Sequence, residues 1–125
     1  MSGFLHTEIT KAIIGAAIEV HNTLGPGFLE SVYEGALARE LEHLGIPFDR
    51  QVSVPIRYRG TVVGTHVLDL LVAGKVVVEL KASKELADIH TAVALSYLSA
   101  TNFSVALLMN FSKLRLEYKR VARTI

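Results

Sequence analysis

Leu68-Asp69-Leu70-Leu71-Val72-Ala73-Gly74-Lys75-Val76-Val77-Val78-Glu79-Leu80-Lys81-Ala82 is the stretch that decides the fold. Two apolar runs flank the turn signal Ala73-Gly74, and each has the length and valine-leucine content of a strand. Along 75–82, Val76, Val78, Leu80 and Ala82 point one way, while Lys75, Val77, Glu79 and Lys81 point the other. A carboxylate and an ammonium therefore share a face inside an apolar strand. Asp69 is a lone acid in its own run, and its burial is costly unless something positive meets it.

Hairpin parity decides whether Asp69 joins Glu79, because opposed residues of an antiparallel pair lie on one face. A two-residue turn, Ala73-Gly74, sets Asp69 against Val78 and points the acids apart. A three-residue loop, Ala73-Gly74-Lys75, sets Asp69 against Glu79 and Val67 against Lys81. The odd loop, or a bulge with the same parity, is the expected solution.

Outward from this hairpin the period changes. Val52, Val54 and Ile56 alternate with polar residues, and Arg59-Gly60 turns the chain into a strand over 61–72. With 75–82 this makes a three-strand antiparallel meander, and Pro55 assigns its first strand to an edge or a bulge. Upstream, Ile9, Ile13, Ala16 or Ala17, and Val20 recur at helical spacing, predicting a helix over 7–23. Leu24-Gly25-Pro26-Gly27 breaks it. A second helix carries Leu29, Val32, Ala36, Leu37, Leu41 and Leu44 on one face and ends at Gly45-Ile46-Pro47. Downstream, Asp88 caps a third helix running to residue 100, with Ile89, Val93 and Tyr97 along one side. Strands over 103–110 and 114–121 follow. The order α-α-β-β-β-α-β-β predicts an α/β fold, a mixed sheet flanked by helices.

The 125 residues, half of them hydrophobic, fit one domain over 1–125 with a core of its own. With no cysteine there is no disulfide, thiolate metal site or cysteine nucleophile. No basic, apolar, cleavable leader and no bilayer-length apolar run is present, which predicts an unexported, cytoplasmic protein without a membrane partner. No phosphate-loop or dinucleotide motif supports a nucleotide cofactor. Net charge is only +1, but Lys113, Arg115, Lys119, Arg120 and Arg123 face the single acid Glu117 near the C-terminus. Such a patch can track phosphates, but taken alone it reads first as protection of an edge strand from pairing.

Two carboxylates, Asp69 and Glu79, and the backbone carbonyl of Leu80 supply hard oxygen ligands for Mg²⁺ or Mn²⁺. Lys81 beside them orients water and offsets developing negative charge. The plain alternative is an ordinary ion pair on a solvated sheet face. Glu30 and Tyr33 share a side of the second helix, where Glu30 also gains from the helix dipole and Tyr33 fits a core position. Of five histidines none has zinc-enzyme spacing. His66, three residues before Asp69, and His90, opening the third helix, are placed to approach the acids.

The run Gly27-Phe28-Leu29-Glu30-Ser31-Val32-Tyr33 matches the pattern that names the GxxExxY protein family. The resemblance spans nearly the whole chain. It takes in 13–21, Leu24-Gly25-Pro26-Gly27, Gly45-Ile46-Pro47-Phe48, Leu68-Asp69-Leu70-Leu71-Val72, Val78-Glu79-Leu80-Lys81-Ala82, Ile89-His90 and Ser96-Tyr97-Leu98. That family is grouped with the PD-(D/E)XK nucleases, which implies a restriction-endonuclease-like core, α-β-β-β-α-β. It also implies a metal-dependent nuclease with Asp69, Glu79 and Lys81 as catalytic triad and Glu30 as the helix-borne acid. Asp69, Glu79, Glu30 and the Leu80 carbonyl are then the Mg²⁺ or Mn²⁺ ligands, with Tyr33, His90 and Tyr97 as accessory residues. Nucleic acid is the expected partner, gripped by Lys113, Arg115, Lys119 and Arg120, and a homodimer adds surface for it. Val93 stands where family members often carry glutamine, and valine cannot hydrogen-bond. A non-catalytic nucleic-acid-binding or protein-interaction module on the same fold is the alternative.

Overall fold

A computed structural model describes residues 5–123. The chain runs α1 (Thr7–Leu24), α2 (Glu30–His43), β1 (Phe48–Tyr58), β2 (Thr61–Val72), β3 (Val76–Lys81), α3 (Asp88–Ser99), β4 (Val105–Asn110) and β5 (Glu117–Ala122). The five strands form one sheet in the order β1-β2-β3-β4-β5, antiparallel except for the parallel β3–β4 pair that α3 bridges. This is the expected element order and a mixed α/β sheet.

Helices cover both faces. Ile13, Ala17 and Val20 of α1 and Tyr33, Leu37 and Leu41 of α2 pack on Leu70, Val72, Val76, Val78, Leu80, Leu107 and Met109. Ala94 and Leu98 of α3 pack on Val54, Leu68, Leu71, Val77, Ala106, Leu108 and Val121 on the other face. β3 and β4 are buried along almost their whole length, as parallel neighbours between two helical layers must be. Among the described residues no helix is long and apolar enough to cross a membrane.

The β2–β3 turn has the odd parity. Ala73 (φ 54°) and Gly74 (φ 65°) are both left-handed, and the Lys75 N–H returns to the Val72 carbonyl at 3.0 Å. The ladder begins at Val72↔Val76, so Lys75 is the extra residue that sets the register. β1 is an edge strand, with Pro55 opposite Thr65 and a register shift between Ile56 and Arg57.

Several boundaries differ from the expectations. α2 starts at Glu30 and buries Tyr33, Glu34, Leu37, Ala38 and Leu41. Leu29 (75% exposed), Val32 and Leu44 lie off that face. The helix is turned because Glu34, an acid, takes a buried place by binding Arg50 (2.9 and 3.1 Å) and Gln51 (2.7 Å). Ala87, not Asp88, is the N-cap residue of α3, and the His90 ring accepts the Ala87 N–H at 2.9 Å. β4 starts two residues later than expected. β5 starts at Glu117, and Leu114 stands 90% exposed in the loop before it.

Candidate active site

β2 changes phase at Asp69. Leu68 and Leu71 both pack into the α3-side core, although strict alternation would separate them, while Leu70 and Val72 face α1 and α2. The β1–β2 ladder skips the Gln51/Asp69 pair, and the β2–β3 ladder stops at Leu70↔Val78. Asp69 is thus set free of regular pairing on both sides. Its Oδ2 accepts the backbone N–H of Leu80 at 2.8 Å, which binds the strands together where the ladder has ended.

Glu79, on the α3 side with Val77, is 4% exposed, and its Oε1 has no hydrogen-bond partner. Burial first, and then the Asp69 carboxylate beside it, push its pKa up to about 8, against the pull of Lys81 and the Asp69 backbone N–H. The two carboxylates thus repel each other, and Glu79 is largely removed from water. Lys81 is half-buried and acts on both Glu79 and His66. It forms no ion pair within 4.0 Å among the described residues. The ordinary ion pair is therefore absent.

Above the acids, His66 stacks on Tyr97 of α3 with ring centroids 3.6 Å apart. Burial and the Lys81 charge lower the His66 pKa, opposed by Asp69. Burial, followed by Glu79 and Asp69, pushes Tyr97 up to about 12. Strict alternation had assigned Val67 to the face of Lys81. The phase change at Asp69 brings His66 there instead and leaves Val67 exposed. Val93 lies one turn before Tyr97 on α3 and brings no hydrogen-bonding group to that side of the helix.

Glu30 stands at the N-terminus of α2, and its Oε1 accepts the Ala82 N–H at 3.0 Å, just past Lys81. It holds the end of β3. Among the described residues no three acids or histidines converge as a ready metal cage. A divalent cation nevertheless suits the donors that are present. Asp69 and Glu79 are hard oxygen ligands, and the orphaned Glu79 Oε1 and the mutual repulsion both call for positive charge.

The other expected residues lie apart. The Tyr33 hydroxyl donates to the Gly25 carbonyl (2.6 Å) and accepts the Phe28 N–H (3.1 Å), while its ring stacks on Phe111. It pins the loop before α2 from within the core. His90 caps α3 through Ala87. Lys113 pairs with Glu117 at 3.6 Å, Arg115 lies in the β4–β5 loop near α1, and Lys119 and Arg120 alternate across β5. They make no single stripe toward Asp69.

One polar hub escaped sequence reasoning. Asn110, fully buried, accepts the N–H groups of Ser83 (3.1 Å) and Ser112 (3.2 Å). It donates to the Ser83 carbonyl (2.9 Å) and to Glu117 (3.1 Å). Glu117 in turn accepts the Leu86 N–H at 2.9 Å, so the loop leaving Lys81 is tied to β4 and β5. A lone asparagine ending an apolar strand was the available signal.

The crystal structure of SSO0001 superposes with a TM-score of 0.58 at 19% identity, covering 76% of this chain and 50% of that one. The chain thus spans about half the length of SSO0001, and the likeness shows the fold. An alkaline exonuclease (LHK-Exo) from Laribacter hongkongensis aligns at a TM-score of 0.45 and 12% identity, covering 92% of this chain and 82% of that one. No curated protein matches the sequence. The sequence profile of the PD-(D/E)XK nuclease superfamily matches residues 7–121. With that match spanning the hairpin and all three helices, the chain belongs to the PD-(D/E)XK nuclease superfamily.

Proposed function

We propose that this protein is a metal-dependent nuclease that hydrolyses phosphodiester bonds of DNA or RNA at Asp69, Glu79 and Lys81. The observation that carries this reading is the Asp69–Glu79 pair, with the buried Glu79 Oε1 lacking any partner beside a lysine free of a direct ion pair. Asp69, Glu79 and the Leu80 carbonyl would hold Mg²⁺ or Mn²⁺. Such an ion, when bound, supplies Lewis-acid stabilisation of charge on the phosphoryl oxygens.

The remaining chemistry belongs to the chain. Asp69, fixed by the Leu80 N–H, cannot swing away from Glu79. Lys81 presents its ammonium to the phosphate and counters the negative charge that grows in the transition state. His66, kept toward the neutral form, offers a ring nitrogen for a proton, and the stacked Tyr97 fixes the plane of that ring. Glu30 holds the Ala82 N–H, and with it the strand end that carries Lys81.

Calorimetric titration of Mn²⁺ into wild type and Asp69→Ala, followed by assay on labelled DNA and RNA, tests this. The expected result is metal binding and cleavage by wild type, both lost in the variant. Wild type that binds no Mn²⁺ even with nucleic acid present sinks the nuclease. It would leave a non-catalytic binding module, a reading that Val93 in place of the family glutamine favours.

A further inference from the structure

The β1–β2 hairpin reaches past the edge of α3, and a cleft of about 440 Å³ lies between the two. Pro55, Ile56 and Arg57 form one wall, and Ser96, Ser99 and Ala100 the other. Named neighbours connect it to the catalytic acids. Val54 pairs with His66, Pro55 pairs with Thr65, and Tyr97 follows Ser96 on the helix. The His66–Tyr97 stack therefore stands between the cleft and Asp69.

Three features say what the cleft would hold. Arg57 is exposed and has no hydrogen-bond or ion-pair partner among the described residues. Arg59 follows at the hairpin tip, 5.8 Å above the Tyr58 ring, so the same arm carries two cations and no acid from Gln51 to His66. The volume lies at the low end of small-molecule pockets, about 300–1,000 Å³, which suits a nucleotide or two of one strand and not a duplex.

We propose that this cleft binds the backbone of a single nucleic-acid strand on one side of the bond to be cut, with Arg57 on a phosphate and the His66–Tyr97 stack as the platform for a base. This rests on the nuclease reading of Asp69 and Glu79. Arg57 pairs with Val62, seven residues from Asp69 along β2. At a strand rise of roughly 3.3 Å the grip lies about 20 Å from the acids. The substrate must then extend several nucleotides beyond the cut, and a strand end alone cannot reach both places. A guanidinium supplies paired donors to phosphate oxygens, and stacking on an aromatic face tolerates any base.

The test measures anisotropy of fluorescein-labelled oligo(dT), and of its duplex with oligo(dA), on full-length protein carrying Asp69→Asn and Glu79→Gln. That background removes the charges that repel phosphate when no cation is present. Adding Arg57→Glu should weaken single-strand binding roughly tenfold or more and flatten its salt dependence by about 0.7 per lost phosphate contact. Ser99→Trp, which fills the cleft from the helix side without a charge change, should weaken it as well. Arg39→Glu, the same charge change on the exposed face of α2, should not. Circular dichroism checks that each variant is folded.

Equal affinity and salt slope for the background and Arg57→Glu would overturn the cleft. So would absence of binding by the background, or tighter binding of the duplex. The nuclease reading fails separately, if otherwise wild-type protein cleaves nothing with Mn²⁺ while the Arg57 effect on binding remains.

Discussion

Gln51 and Asp69 stand opposite each other where the β1–β2 ladder is interrupted, and both strands change face there together. Arg50, one residue earlier, turns toward α2 and Glu34, whereas Val52, one residue later, packs against the α3-side core. Gln51 accommodates the switch with a left-handed backbone (φ 52°), which a side-chain-bearing residue adopts at a cost. Its amide is held by Glu34 at 2.7 Å. Strain of this kind beside two candidate catalytic acids fits a site whose geometry is enforced by its surroundings.

Gln51→Ala keeps the backbone strain and loses the tether. It should destabilise the protein by about 1–2 kcal/mol, read as the urea midpoint, and Gln51→Gly should lose less because glycine tolerates the conformation. Equal losses would show that the Glu34 contact, and not the left-handed backbone, dominates.

Ala73 at φ 54° offers the opposite case. Ala73→Gly relieves a left-handed alanine and should raise stability by about 0.5–1 kcal/mol with the register unchanged. Deleting Lys75 leaves the two-residue turn Ala73-Gly74 with Val72 still opposite Val76, so Asp69 stays opposite Glu79 and Mn²⁺ binding read by calorimetry should be retained.

The metal-free protein should lose stability as pH rises from about 4.5 to about 8. The folded state raises Glu79 over that window, so it binds more protons than the unfolded chain, and its advantage is complete below the unfolded pKa and gone above the folded one. Denaturant midpoints against pH read the slope. Glu79→Gln should flatten it, and an unchanged slope in that variant would assign it to another group.

His66 should titrate below its ordinary value when followed by NMR. Lys81→Met removes a charge that lowers the pKa and should raise it, while Asp69→Asn removes one that raises it and should lower it further. Movement in the same direction in both variants would mean that His66 is reporting burial and not these charges.

Asn110→Ala strips the hub that ties Ser83, Ser112 and Glu117, and should cost about 2–4 kcal/mol in thermal or urea unfolding. A loss under about 0.5 kcal/mol would show that water replaces the asparagine at little cost.

The sequence by itself determined the elements, their order and the hairpin parity. Those depend on local chemistry: apolar period in Ile13, Ala17 and Val20, breakage at Gly25-Pro26-Gly27, and the turn at Ala73-Gly74. Strand alternation and ligand chemistry singled out Asp69, Glu79 and Lys81, and resemblance gave Glu30 its place beside them. Tertiary structure decided what parity could not. Alternation along β2 assigns Val67 to the site, yet a phase change shared with Gln51 on another strand delivers His66. Helical periodicity on α2 selects Leu29 and Leu44, yet the buried face includes Glu34 because Arg50 and Gln51, from β1, compensate its charge. Both outcomes depend on partners distant along the chain, and the cost of a buried acid or a left-handed residue is offset only once those partners are in place.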